Sequence, residues 1–456
     1  MTSVTFPNGN SYSDDGTTAN DMRNGGFRTS LLPMISDTIV VSNSAVAAAA
    51  SAVPAATTAS AAATTATTQA AIATAAANTA VGTSLIKQPS EIAGIDPALD
   101  FAFLSSLALP AGVVQGTSAK WVTDRAGLLT SVASLTPPID FDPVTSVTRG
   151  LLVEASVTNL LRRSQEFDVS PWTTFGTVTI TANNTTAPDG TLTADKLAVA
   201  SGAGIYNNAT VTSGTYTCSI WLKADSATTA TLGSNDGNNA FVSTTCSVTT
   251  SWQRFTLTRT TTASTMGMQI NGATTVYAWG AQIEAGSFAT SYIPTLGSTV
   301  TRAADTNTMA LSSVPGWNSS ECTIYVEART ALASGTQTYA QYDDGTANNR
   351  LCVYRDSSNV LRCIVVVSGS TVVNLSLGTV ANDTFFKVAF SWKANAFSAS
   401  VNGGAAVTSS SGAIPSGLTT HRIGHDSSGN HANSPIRRDV GLPRAVTSAT
   451  TTLLTA

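Results

Sequence analysis

"VYAWGAQIEAGSFATSYIPT", residues 276–295, is the stretch on which the fold turns. Its opening is rich in Val, Tyr, Trp and Ile and its end runs through Gly and Ser to Pro294, so it reads as a strand with a turn-rich exit. On a regular strand the side chains alternate in face. Tyr277, Trp279, Ala281 and Ile283 are then expected on one side and Gly280, Gln282 and Glu284 on the other. The first set reads as core; the second can hydrogen-bond.

The same texture extends in both directions. "GTVTITA", "GTYTCSIWLKA", "WQRFTLTRT" and "STMGMQI" precede it, each short and separated by turn residues. After Asp305 come "CTIYVEART", "QTYAQYDD", "RLCVYRD", "LRCIVVVSG", "FFKVAFSWKA", "FSASVNGG" and "THRIGH". No long helical period interrupts them, which predicts a mainly β protein with two successive antiparallel β-sandwich, jelly-roll-like domains. Phe386, Val388, Phe390 and Trp392 share a face, and Asn402–Gly403 turns the chain. The expected boundaries are 83–303 for the first sandwich and 304–456 for the second.

The N-terminal part differs. Residues 1–44 mix turn residues with a short apolar patch, "LLPMISDTIVV", too small for a core of its own and suited to docking on another protein. Residues 45–82 are almost entirely Ala and Thr without charge. A weak heptad register from Val46 predicts a thin oligomeric helical stalk, with a flexible linker as the alternative.

Composition narrows the chemistry. Only 11 % of the 456 residues are charged and the net charge is −4, so no basic field exists for nucleic acid. The start has neither the basic nor the apolar region of a secretory signal, and no run is apolar enough to insert in a membrane. The five cysteines form no CxxC pair, which disfavours structural zinc and suits folding in a reducing compartment. Cys352 and Cys363 are expected to face each other across a hairpin, where a disulfide is permitted but not required. No cofactor is expected.

Several phrases in order resemble the receptor-binding module of tailed-bacteriophage tail-fibre proteins: "IDPALDFAF", the run from Asp124 to Phe167, "TAPDGTLTADKL", "WGAQIEAGSFATSYIPT" and "STVTRAAD". They span roughly residues 97–305 and place a carbohydrate-binding-module-like sandwich there. "RIGHDSSG" and "RDVGLPRAVTSATTTLLTA" are similar to concanavalin-like or laminin-G-like sandwiches. The resemblance implies a virion fibre, commonly a homotrimer. Residues 1–44 would dock on a tail or head–tail junction protein, and the β domains would meet a host surface polysaccharide.

Such a fibre binds its glycan or cuts it. Concanavalin-like glycanases carry an ExDxxE strand, and none of Glu91, Glu154, Glu166, Glu284, Glu321 or Glu327 begins that pattern. A non-enzymatic adhesin is therefore expected, with a structural appendage or a capsule-degrading tailspike as alternatives. For binding, the face opposite Tyr216, Cys218, Ile220 and Leu222 is expected to gather Trp221, Lys223, Arg254, Gln269 and Gln282 as a sugar platform, with Trp252 beside them. The alternative is that Trp221 or Trp252 packs under a loop. His421, His425 and His431 form either a polar loop or, from three chains around an axis, a metal site. Asp343, Asp344 and Asp426 offer oxygen ligands for Ca²⁺ without a defined loop.

Overall fold

The computed structural model describes residues 4–5, 11–12, 88–103, 113–116, 119–238 and 240–456. The stalk and nearly all of the docking segment lie outside them; Val4–Thr5 and Ser11–Tyr12 form a short antiparallel pair. Residues 86–456 make one compact unit, and it is this unit that carries the sandwiches.

The chain is mainly β, and its sheets pair as β-sandwiches. In the first sandwich, one five-stranded sheet has the order Thr173–Phe175, Gly204–Thr210, Thr265–Asn271, Thr228–Asp236, Phe241–Val248. Its partner has the order Val178–Thr185, Ala194–Val199, Thr274–Ala285, Gly214–Lys223, Gln253–Thr261. Alternation explains the core: Tyr216, Cys218, Ile220 and Leu222 turn inward as expected and meet Leu232, Met266, Met268 and Ile270 of the facing sheet.

The second sandwich corrects the expected boundaries. Its eight-stranded sheet contains Leu99–Ala102, Ile139–Phe141 and Thr148–Val153 besides strands from 321 onward, and Val113–Gly116 forms the edge of its seven-stranded sheet. Phe101 pairs with Asp439. Leu99, Phe101, Ile139, Phe141, Leu151 and Val153 enter one core with Ile324, Val326, Val353, Phe386, Phe390 and Trp392. The two sandwiches are therefore nested: residues 157–302 are an insertion between two parts of the C-terminal sandwich. Periodicity along the chain reports local structure, and a strand's partner hundreds of residues away leaves no mark on it.

The insertion leaves and returns through a neck, where Val157–Asn159 pairs with Val300–Arg302. Beside it Glu154, fully buried, lies 3.1 Å from Arg302 and 3.3 Å from Lys120. Lys120 also pairs with Asp305, whose carboxylate accepts the Glu154 backbone N–H at 2.7 Å. Burial by itself would push the Glu154 carboxyl up, but Arg302, Lys120 and hydrogen bonds from Ser291 hold it down at about 2.

All five cysteines are free and buried. Cys363 pairs in register with Val353, and Cys352 with Ile364. The one-residue offset turns Cys363 into the core and Cys352 to the opposite face, so they do not confront each other as expected.

Candidate functional site

The stretch 276–285 does not alternate as a regular strand. Ser219 pairs with Gln282 while Trp221 pairs with Trp279, so the longer strand carries one extra residue between those pairs. That bulge falls at Gly280, whose φ of +69° lies in the left-handed region open to glycine. Its effect is a change of phase. Val276 and Ala278 enter the core before it, and Ala281 and Ile283 after it. Tyr277 and Trp279, expected in the core, join Gln282 and Glu284 on the outer face.

That outer face is covered. Trp221, 9 % exposed, packs with Trp279 and Tyr292 at ring distances of 5.5 Å, and Trp121 closes over them from the Lys120–Thr123 strand. Arg254 lies 4.3 Å above the Trp221 ring and donates to the Thr290 carbonyl and the Ser219 hydroxyl. Gln282 is fully buried, its Oε1 accepting the Ile293 N–H at 2.9 Å. Glu284 accepts from Thr290; burial pushes its carboxyl up, against the pull of Arg254. Lys223 is half-buried, 5.1 Å over the Trp252 ring. Thus Trp221, Arg254 and Gln282 are brought together as packing, and Lys223 stands at their border.

A cleft of about 620 Å³ opens beside this cluster, between the sandwiches. Three of its charged walls are ion-paired, Arg149 with Asp142, Arg329 with Asp383 and Glu154 with Arg302, while Arg254 has only the neutral oxygens of Thr290 and Ser219.

Gln269 stands apart from the other four, on the opposite sheet, and the outer face of that sheet is differently built. The register sets three rows across the strands: Thr173, Tyr206, Gln269, Gly233 and Ser243; on one side Phe175, Gly204, Asn271, Thr231 and Thr245; on the other Asn208, Gly267, Asn235 and Phe241. The side chains of Asn208, Asn235, Gln269 and Asn271 make no hydrogen bond among the described residues, and Asn271 Oδ1 is buried without a partner. Phe175 is 38 % and Phe241 48 % exposed. Asn208 and Asn235 are exposed to water, whereas Gln269 and Asn271 are half-buried, and a half-buried amide left unpaired is costly unless something else meets it.

Three glycines floor this face without needing a left-handed backbone. A Cβ on Gly204 would stand 2.6 Å from the Phe175 ring, one on Gly233 2.6 Å from the Phe241 ring, and one on Gly267 2.4 Å from Asn208 Oδ1. Glycine inside a strand weakens it and marks close approach. Here it lets aromatic rings and an amide lean over the backbone. The sequence carried this signal in "GIYNNAT", "TMGMQIN" and "TLGSND", where glycine and amide recur within strands; reading aromatics alone misses it.

The three histidines are buried within the chain. His421 packs flat on Tyr342 at 4.2 Å with Asp439 3.0 Å away. His425 stacks on His431, and their Nε2 atoms meet the carbonyls of Asn307 and Asp305. Asp343 pairs with Arg422, while Asp344 and Asp426 cap their own loops. Among the described residues no group of three metal-ligating side chains converges, and no helix is long and apolar enough to cross a membrane.

No protein-family model and no curated protein matches the chain. Among solved structures, NanB sialidase from Streptococcus pneumoniae is 12 % identical over 32 % of this chain and 26 % of its own, with a TM-score of 0.28. The IT-sialidase CBM40 of Ruminococcus gnavus is 16 % identical over 33 % of this chain and 93 % of its own, with a TM-score of 0.28. The enzymatically active domain of bacteriophage CBA120 tailspike protein 4 is 17 % identical over 27 % of this chain and 21 % of its own, with a TM-score of 0.23. This chain thus spans about a quarter of NanB and a fifth of the tailspike domain, and likenesses this low say nothing of what it binds.

Proposed function

We propose that the chain is a non-enzymatic virion fibre that attaches to a bacterial surface glycan through the outer face bearing Gln269. One observation carries the proposal: four amide side chains without internal partners lie on a glycine floor between exposed aromatics. A sugar offers the complement, with C–H surface for an aromatic ring and hydroxyls that both donate and accept toward an amide. The cleft between the sandwiches is the weaker site, because Arg149, Arg329 and Glu154 are ion-paired and Arg254 is tied to Thr290 and Ser219 under the Trp221 cluster. A binding role without cleavage is supported by Glu154 and Glu284, whose oxygens are occupied by Ser291 and Thr290. The fibre reading rests on the resemblance of residues 97–305, with residues 1–44 docking on the particle and residues 45–82 forming a trimeric stalk.

The test is retention of the full chain on a panel of purified bacterial surface polysaccharides, with Gln269→Ala and Phe241→Ala beside the parent. Losing one such contact typically costs on the order of 1 to 3 kcal/mol, so retention of the variants should fall about tenfold or more. Unchanged retention would remove this face. Shortened polysaccharide would mean an enzyme, and a changed oligomer mass in the variants would mean that the face meets a second copy of the chain.

A further inference from the structure

Resting on that reading, we infer that the ligand is an uncharged oligosaccharide chain, laid across the strands from Phe175 to Phe241 and held along its interior. Charge selects the occupant. In the five strands of this sheet the one charged side chain is Asp236, turned inward and ion-paired with Arg259. A carboxylate or sulfate set on this face would lose water and find no cation to replace it. The amides suit hydroxyls, since each brings two donors and an acceptor with no net charge. The opposite sheet, with Lys196, Lys223 and Arg254 on its outer side, has the character an anionic sugar would need.

Size selects an oligomer. Phe175 and Phe241 sit on the two edge strands, and their rings lean inward over Gly204 and Gly233, two strand spacings apart, which at about 4.8 Å each is roughly 10 Å. Between them the path crosses Gly204 and Tyr206, then Gln269, then Gly233. A monosaccharide reaches one end of that path; a chain segment reaches both. The two rings lean over Gly204 and Gly233, so these glycines set where the ends of the segment rest.

The experiment presents the full chain with immobilised dextran, galactan and mannan as neutral probes and with polysialic acid and alginate as anionic ones, at low and high salt. Oligosaccharides of graded length from the retained polymer follow in solution. Expected are retention on a neutral polymer that salt does not weaken, affinity that rises with length and then levels, and a loss of about tenfold for Phe175→Ala and for Phe241→Ala. Both rings are exposed enough that their removal leaves the fold intact, and Gly233→Ala should weaken binding by displacing Phe241. Retention on the anionic polymers alone, reduced by Phe241→Ala, overturns the neutral ligand and leaves the binding face standing. Full affinity for a monosaccharide overturns the extended site. Retention on none of the polymers, or retention indifferent to Phe175→Ala and Phe241→Ala, overturns the binding face itself.

Discussion

The Trp221 ring fills the space where Gly280 has no side chain: a Cβ at that glycine would stand 2.7 Å from the indole Cε3. The bulge and the aromatic cluster are thus one construction. Any residue larger than glycine must both hold φ near +69° and push the indole away. The left-handed conformation alone costs roughly 1 to 2 kcal/mol for an L-residue. Gly280→Ala should lower stability by at least that amount, seen as a drop in melting temperature together with altered tryptophan fluorescence. An unchanged melting curve would mean that Trp221 is free to move.

Trp221→Ala separates packing from recognition. With the ring buried among Trp279, Tyr292 and Arg254, its loss should cost about 3 to 5 kcal/mol of stability, as large core truncations do. Glycan retention by the folded fraction should stay at the parental level. A variant that melts normally yet fails to bind would return Trp221 to the ligand site.

At the neck, Glu154 titrates at about 2 in the folded chain against 4.5 unperturbed. A depressed carboxylate stabilises above its unfolded value, and that contribution is lost as pH falls from about 4.5 through 2. Asp305, raised by burial, works in the opposite sense and softens the loss. Glu154→Gln should therefore melt lower than the parent at pH 7 and show a flatter decline on acidification. Parallel melting curves across that range would show that the ion pairs contribute nothing to stability.

His425 sets a second pH dependence, in the other sandwich. Burial lowers its pKa from 6.5 to about 4, so between those values the unfolded chain binds a proton that the folded chain refuses. Stability rises with pH through this window and is lost as pH falls from 6.5 toward 4, by about 2 to 3 kcal/mol at 1.36 kcal/mol per unit. His425→Gln should remove most of that slope. Calorimetric melting at several pH values between 4 and 7 measures it directly.

Much of the fold was legible where local pattern governs. The inward set Tyr216, Cys218, Ile220 and Leu222, the shared face of Phe386 to Trp392, and the Asn402–Gly403 turn, with both residues at positive φ, all follow the reading of the residues. Three things were not legible. Gly280 broke the alternation of its strand, because a bulge needs one residue in an unusual conformation and leaves the pattern on either side intact. Leu99, Phe101 and Leu151 joined the far sandwich through pairing that no local window contains. Of the candidate site, Gln269 alone lies on the amide face, since Asn208, Asn235 and Asn271 read as ordinary polar positions until the register lines them up over three glycines.

The nested order has a mechanical consequence. Residues 157–302 are joined to the rest by two strands that enter and leave side by side at Val157–Asn159 and Val300–Arg302. When the inserted sandwich is pulled away from the other, both strands are drawn in the same direction. They do not slide past one another, so the tension divides between two covalent tethers while the rungs joining them carry little of it. A domain hung from a single linker would put the whole load on one chain; this one hangs like a swing from two ropes.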